Sequence, residues 1–170
     1  MNKPYPVAFP NASGAVVTVD EEQIERGIAA SRGSSRRRII LPLHRRQEAP
    51  VQRMVNFLQP DTYIRPHLHP REDATESITM MQGRIGFLVF DEKGGVEQMI
   101  PLGGEGEPKV IDLEPRVCHS FVVLEDDTVI FESKRGPYDT ERDKTFADWS
   151  PEEGSDEAMA WIREMKKRVG

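Results

Sequence analysis

Four side chains that could contact a metal ion or a substrate occur at alternating positions in one short segment. Tyr63, Arg65, His67 and His69 each lie two residues from the next. In an extended chain successive side chains point to opposite faces, so these four would share one face, roughly 7 Å apart. Two imidazoles at that spacing can bind one cation, because each ring and a metal–nitrogen bond of about 2 Å span half of the gap. The spacing predicts a metal-binding strand.

Two residues outside this segment could add further ligands. Glu76 begins the next predicted strand, which ends at Gly83, where a tight turn would favour glycine. His119 lies much farther along the chain, inside an apolar run that also reads as a strand. A strand from a distant part of the chain can bring a third nitrogen to the first two, so we expect a site made of several strands.

The elements that must position these residues are short strands. From Val51 onward, apolar stretches are separated by turn residues at intervals of about ten positions. The predicted strands cover residues 51–58, 62–68, 76–82, 84–91, 96–102, 108–113, 117–124 and 127–134. Many short strands without intervening helices predict a sandwich or barrel and argue against alternating strand–helix units.

Helices are predicted near both ends of the chain. Asp20 with Gln23 three residues later is a capping-box pattern, and it predicts a helix near 21–31. A second helix begins at Ser155, and its apolar stripe must cover either the barrel or a partner subunit. That stripe consists of Ala158, Trp161, Ile162, Met165 and Val169. Two weaker strand patterns lie at 15–19 and at 37–44, the second an edge strand because it contains a proline.

The order of the histidines and Glu76 is similar to the two sequence motifs of the cupin superfamily. His67-x-His69 is followed by Glu76 and Gly83, and later by a His119 that a proline precedes. Several further segments resemble the WbuC-type cupin metalloproteins, small proteins often linked with surface-polysaccharide biosynthesis. These segments are Val51–Met54, Thr62–His69, Phe90–Gly94, Phe131–Tyr138 and Lys144–Glu152. The resemblance covers residues 35–153, most of the chain.

The resemblance implies a mainly β fold, the cupin double-stranded β-helix or jelly-roll barrel, with a mononuclear metal site. The ligands that it implies are His67, His69, Glu76 and His119. Six residues separate His69 from Glu76, where the motif usually has three or four, so Glu72 or Asp73 could supply the carboxylate instead. The second motif is one residue shorter than usual and lacks its glycine.

We therefore expect one domain over residues 1–170. It would comprise an N-terminal arm and helix (1–34), the cupin barrel (35–135) and a C-terminal segment with a helix (136–170). The expected cofactor is one divalent ion per chain, either iron, manganese, nickel or zinc. Exposed sheet edges and the apolar stripe of the last helix also predict a homodimer.

A metal with open coordination positions suits a small polar substrate. Arg65 could clamp a carboxylate or phosphate, and Tyr63 could donate a proton, so both are predicted catalytic residues. This equipment fits isomerisation or epimerisation of a hydroxy-carbonyl compound such as a sugar. Two alternatives stay open: a non-catalytic module that binds or senses a small molecule, and an iron-dependent dioxygenase. The link to polysaccharide metabolism comes from the resemblance alone.

The composition argues against two classes of binding partner, nucleic acids and membranes. A net charge of −6 over 170 residues argues against nucleic acid, because binding phosphates requires a basic face. No apolar run approaches the roughly 20 residues of a membrane span. The single cysteine, Cys118, cannot form an internal disulfide and neighbours His119, so it would face the opposite side of its strand. We expect a cytoplasmic protein with a small-molecule ligand and no nucleic-acid or membrane partner.

Several further polar residues have an open role. His44 is either an acid–base group in a pocket or a hydrogen-bonded core histidine, and its spacing favours the core. The run Arg36–Arg38 is either a solvated loop or an anion site, and a solvated loop is the commoner outcome for like charges. Strand alternation alone makes Arg53, Glu132 and Lys134 candidates for the pocket.

Overall fold

A computed structural model describes residues 7–139 and 141–169. Within them the chain forms two helices and ten strands. In chain order the elements are α1 (Glu21–Gly33), β1 (Arg38–Pro42), β2 (Val51–Leu58), β3 (His67–Leu68), β4 (Glu76–Gln82), β5 (Ile85–Phe90), β6 (Val96–Leu102), β7 (Val110–Leu113), β8 (Cys118–Val123), β9 (Thr128–Arg135), β10 (Thr145–Phe146) and α2 (Asp156–Val169).

The strands form two five-stranded antiparallel sheets. The first has the order β1-β2-β9-β4-β7, and the second has the order β10-β3-β8-β5-β6. Side chains from both sheets pack together between them in one apolar cluster, which includes Leu58, Ile78, Phe87, Phe121 and Ile130. This arrangement confirms the predicted mainly β, cupin-like fold with a helix near each end.

Helix α1 covers the outer face of the first sheet. The Asp20 carboxylate accepts a hydrogen bond from the Gln23 backbone amide and the Gln23 side chain accepts one from the Asp20 amide, so the predicted capping box is present. The helix approaches the sheet closely at Gly27, where an added Cβ would lie 2.4 Å from the Phe57 ring. It continues two residues beyond the predicted end at residue 31.

Helix α2 covers the outer face of the second sheet. The Ser155 hydroxyl caps the helix by accepting a hydrogen bond from the Ala158 amide, in agreement with the predicted helix start at Ser155. Its buried side chains Ala158, Ile162 and Met165 pack against Leu88 and Val122. The apolar stripe is therefore covered within the chain.

The segment before His67 differs from the prediction, because a strand was expected over 62–68 and only His67–Leu68 pair as β3. Side chains bind two backbone carbonyls of this segment, and the Pro66 carbonyl accepts a hydrogen bond from the Ala147 amide at 3.0 Å. Arg38 donates to the Tyr63 carbonyl at 3.0 Å, and the Ser120 hydroxyl donates to the Ile64 carbonyl at 2.5 Å. The strict alternation of side chains expected for a strand is thus lost before the metal-binding pair.

The N-terminal part runs along the edge of the first sheet. β1 is an edge strand that ends at Pro42, as the proline predicted. Phe9 donates its backbone amide to the Ile40 carbonyl at 2.8 Å. The strand expected at 15–19 is wrong, since these residues form no ladder. Residues 1–6 of the predicted arm, and Gly170 at the other end, lie outside the described residues. Neither described helix combines the length and apolarity that a membrane crossing needs.

Candidate metal centre

Three buried histidines converge between the two sheets. β3 pairs with β8, and this pairing places His67 directly opposite His119. His69 follows β3 by one residue and points to the same place. Each imidazole offers one nitrogen, and the three atoms lie within 4.8 Å of one another. The side chains are only 3 to 6% exposed, so the cluster lies in the interior and not on a solvated surface.

The backbone fixes the orientation of all three rings. The Nδ1 atoms of His67 and His119 lie 2.8 and 2.9 Å from the carbonyls of Arg65 and Val117. The Nδ1 of His69 lies 2.5 Å from the carbonyl of Asp143. A carbonyl can only accept, so each Nδ1 carries a proton, and Nε2 is the nitrogen that can face a cation. This is the arrangement that metal-binding histidines require, with one nitrogen held by a hydrogen bond and the other available to a cation.

Glu76 completes the cluster from the first sheet. Its Oε2 lies 3.1 Å from the Nε2 of His69 and 3.2 Å from the Nε2 of His119, and the residue is 5% exposed. The two alternative carboxylates are elsewhere: Glu72 pairs with Arg116 at the surface, and exposed Asp73 pairs with other arginines. Of the three candidates, only Glu76 contacts the histidines.

The contacts of Glu76 indicate how the site balances its charge. Burial would raise the pKa of Glu76, but its hydrogen bonds with His119 and His69 hold that pKa well below its ordinary value. Burial would lower the pKa of His69, but the hydrogen bond and the charge of Glu76 raise it. Without a metal, protons on the imidazoles can supply the positive charge that the buried carboxylate needs. A divalent cation would take the place of those protons.

A second carboxyl group lies beside Glu76 on β9. Burial and the negative charge of Glu76 raise the pKa of Glu132 to about 7, and Asn56 donates a hydrogen bond to its Oε2 at 3.1 Å. Lys134, two residues along β9, forms a 2.7 Å ion pair with Asp143, and both side chains are less than 10% exposed. Asp143 therefore makes two contacts here: its carboxylate pairs with Lys134, and its backbone carbonyl binds the His69 ring.

A cavity of about 540 Å³ opens from the histidines toward the surface. Apolar side chains from both sheets form part of its wall, among them Met54, Leu58, Ile64, Ile78 and Phe121. Charged side chains also border it, and they are Arg36, Arg38, Arg65, Glu76, Glu132, Lys134, Asp143, Lys144 and Glu153. A volume of this size accommodates a small molecule.

Of the two predicted catalytic residues, one borders the cavity and the other does not. Arg65 borders the cavity, with its Nε donating to the Ser150 hydroxyl at 2.9 Å and its guanidinium 5.0 Å from the centre of the Phe146 ring. Tyr63 does not share this face. Its ring packs edge-on against Trp161 of α2, and its hydroxyl donates to the Pro151 carbonyl at 2.9 Å. The structure thus brings Arg65, but not Tyr63, to the cavity with the histidines.

The remaining sequence candidates also have defined surroundings. The buried His44 borders the cavity, and its Nδ1 lies 3.0 Å from the carbonyl oxygen and 3.2 Å from the amide nitrogen of Arg53. Arg36 and Arg38 both pair with Glu153 at the cavity, so they do not form an isolated solvated run.

Strand alternation determines which of the other candidates line the cavity. The Arg53 side chain is exposed on β2 and takes no part in the cavity wall, whereas Glu132 and Lys134 on β9 do line it. Cys118 packs on the opposite side of β8 from the histidines, against the cluster beneath α2. Its predicted outward direction is therefore observed.

Polar residues that border the cavity but were not singled out from the sequence include Asn56, Asp143 and Lys144. Asn56 could have been identified from the sequence, because it alternates with Met54 and Leu58 on the inward face of β2. Asp143 and Lys144 precede the two-residue strand β10 and lie in an irregular segment. No periodicity in the sequence marks such residues.

Part of the chain matches a known family model. Residues 19–102, just under half of the chain, match a family model described as a domain of unknown function (DUF6016). No curated protein matches the chain.

Similar solved structures include two oxalate decarboxylases and a plant protein. A Bacillus subtilis oxalate decarboxylase, studied for its Mn(II) centres, is 16% identical, with 64% of this chain and 27% of that chain covered at a TM-score of 0.48. The Lactobacillus farciminis enzyme in complex with formate is 16% identical, with 56% and 26% covered and a TM-score of 0.43. Peruvianin-I, a cysteine peptidase from Thevetia peruviana latex, is 12% identical, with 57% and 55% covered and a TM-score of 0.45.

The chain spans about a quarter of the length of the oxalate decarboxylases that it matches. Likeness at these identities and TM-scores says nothing about a reaction.

Proposed function

We propose that this protein binds one divalent metal ion on His67, His69 and His119, with Glu76 as the carboxylate ligand, and acts on a small polar molecule in the adjoining cavity. The observation that carries this proposal is the convergence of three buried Nε2 atoms whose partner nitrogens are all held by backbone carbonyls. Metal-binding histidines almost always donate the other ring N–H to a carbonyl, carboxylate or water, and all three rings have such a carbonyl partner.

The donor set fits the proposed ion. Three neutral imidazoles and one carboxylate suit zinc, iron, manganese or nickel, and they leave a net positive charge when the ion is present. Such an ion, when bound, supplies a Lewis acid that polarises a substrate oxygen. The cavity begins at these residues, so a ligand can approach them.

The chain's own residues would bind and orient that ligand. Arg65 offers a guanidinium at the cavity wall, and planar guanidinium groups bind carboxylates and phosphates in two-point contacts. Arg65 is held by Ser150, and Tyr63 is held by the neighbouring Pro151. We assign Tyr63 the role of positioning this segment, and through it Arg65.

The finer form of the proposal is an isomerisation or epimerisation of a carbohydrate-related hydroxy-carbonyl compound in the cytoplasm, as part of surface-polysaccharide metabolism. Its support is the resemblance to WbuC-type cupins together with the polar groups along the cavity. A non-catalytic binding module would use the same cavity without conversion, and iron at the site would allow oxygen chemistry.

Ligand-observed NMR distinguishes these functions. Metal-loaded protein is mixed with a panel of sugars, sugar acids and sugar nucleotides, and each mixture is followed for binding and for chemical change. The His67→Ala/His69→Ala variant is the matched control. Conversion by wild type alone supports the enzyme, and binding without conversion across the panel supports the binding module. Equal behaviour of wild type and the double variant would contradict a role for the metal cluster.

The carboxylate ligand has a separate test in metal affinity. We expect Glu76→Gln to weaken binding of zinc measurably, because it removes the negative charge that contacts two of the histidines. Glu72→Gln and Asp73→Asn should leave the affinity unchanged, since both side chains are exposed and paired with arginines. A greater loss in either control variant would show that Glu76 is not the ligand.

A further inference from the structure

The cations and carboxylates along the cavity are mostly paired with one another. Of the five described lysines and arginines that border it, Arg36 and Arg38 bind Glu153 at 2.9 and 2.8 Å. Lys134 binds Asp143 at 2.7 Å. These ion pairs involve three of the five cations, two of which share the Glu153 carboxylate. The other two cations are Lys144 and Arg65.

Lys144 is the first of these two. Among the described residues its ammonium has no hydrogen-bond or ion-pair partner, although the side chain is partly buried and borders the cavity. Burial and the positive charge of Lys134 lower the pKa of Lys144 below its ordinary value, although the Asp143, Glu132 and Glu76 carboxylates raise it. Carboxylates thus lie near the Lys144 ammonium, but among the described residues none lies within ion-pair distance of it.

Arg65 is the second. It donates to the hydroxyl and carbonyl of Ser150, which do not neutralise its charge, and its guanidinium lies 5.0 Å over the Phe146 ring. Phe146 pairs with His67 in the ladder between β10 and β3, and Lys144 lies two residues before it. Both cations thus flank the same wall beside the histidines.

An unpaired ammonium in a partly buried site lowers stability, because it loses water and gains no partner. Such a group is expected where a ligand supplies the missing charge. We propose that Lys144 and Arg65 bind a carboxylate or phosphate group of the small molecule that occupies the cavity. This inference rests on the proposed function, since the ligand is taken to be the one that lies beside the metal centre.

Titration calorimetry on zinc-loaded protein tests the subsite with three probes. Glycolate carries a carboxylate, inorganic phosphate carries the other anion, and ethylene glycol is the neutral counterpart of glycolate. We expect at least one anion to bind, and Lys144→Gln to weaken it by about tenfold or more, as for loss of a charge-assisted hydrogen bond. Lys144→Arg should retain part of the affinity, and Lys93→Gln, at an exposed hairpin lysine, should retain all of it.

The pattern across the probes identifies the anion. If Lys144→Gln weakens the binding of glycolate alone, the subsite binds a carboxylate, and if it weakens the binding of phosphate alone, the subsite binds a phosphate. Weaker binding of both probes supports a general anion subsite. Binding of neither anion to zinc-loaded wild type, or equal affinity in wild type and Lys144→Gln, would overturn the inference. Ethylene glycol should be unaffected by the substitution.

Zinc content and melting temperature show whether a failed test concerns the anion subsite alone or the metal centre as well. Lys144→Gln should keep one zinc per chain and should melt at the same or a higher temperature than ligand-free wild type, because it removes an unpaired charge. A lower melting temperature would make Lys144 a structural residue and would overturn the subsite. If wild type held no zinc, both the proposed function and this inference would fall, whereas zinc binding with unchanged anion affinity would overturn the inference alone.

Discussion

Breaking the buried ion pair between Lys134 and Asp143 should strongly destabilise the metal-free protein. The two side chains are 9 and 8% exposed and lie 2.7 Å apart. Lys134→Met would leave the Asp143 carboxylate without its partner, in an interior that already contains Glu76 and Glu132. An unpaired buried charge of this kind costs far more than the loss of a solvated surface pair.

The expected size of the effect follows from the burial. Removing one partner of a buried pair typically costs about 3–5 kcal/mol. In a protein of this length each kcal/mol lowers Tm by about 2–4 °C, so Lys134→Met should lower Tm by roughly 6–20 °C. Asp143→Asn added to this variant removes the uncompensated charge. We expect the pair to be coupled by at least about 1.5 kcal/mol, so the double variant should be less damaged than the two single effects predict.

Urea unfolding of the four proteins, treated with chelator, gives the coupling free energy. Lys93→Met is the matched control, because this exposed lysine should change the free energy of unfolding by less than about 0.5 kcal/mol. Two results would refute the reasoning. One is a loss below about 1 kcal/mol for Lys134→Met, and the other is additivity of the two substitutions within about 0.5 kcal/mol.

Three further predictions concern other parts of the molecule. Burial would raise the pKa of Glu153, but Arg36 and Arg38 lower it, so its stabilisation is present above the unfolded pKa and is lost as pH falls through the folded pKa. Glu153→Gln should therefore cost up to about 1 kcal/mol at pH 7 in urea titrations, and its difference from wild type should vanish on acidification; a pH-independent difference would contradict this. Gly27→Ala should lower Tm, with a cost of about 1–3 kcal/mol from the clash with Phe57, and an unchanged Tm would count against the close packing of α1. Edge strand β7 leaves Val110 56% exposed, and we still predict a homodimer, which a monomeric mass in light scattering at micromolar concentration would exclude.

Much of the sheet structure was predictable because local patterns and tertiary packing agree. β2, β4 and β6 have their predicted bounds of 51–58, 76–82 and 96–102. In β2, the inward side chains alternate with outward ones over its first half, and in β4 the buried positions likewise alternate. The turn residues between strands supply the remaining signal. Alternation also correctly predicted that Glu132 would face the cavity.

Alternation failed where the backbone is not a strand. Tyr63 was expected on the same face as His67, but the segment is not a strand, and the Tyr63 and Ile64 carbonyls bind the side chains of Arg38 and Ser120. Those contacts come from residues 25 and 56 positions away, which no local pattern reveals.

Lys144 was missed for a related reason. It lies in the irregular segment before β10, and its approach to His67 depends on the pairing of β10 with β3. A two-residue strand carries too little pattern to be predicted from sequence.

The most direct test of the central claim is the metal content of purified protein after saturation and dialysis. Inductively coupled plasma mass spectrometry should find one divalent ion per wild-type chain and none in folded His67→Ala/His69→Ala protein. His44→Ala is the matched control, because His44 borders the cavity outside the cluster, and it should keep the full metal content. Full occupancy in the double variant, or no metal in wild type, would contradict the metal centre on which this account rests.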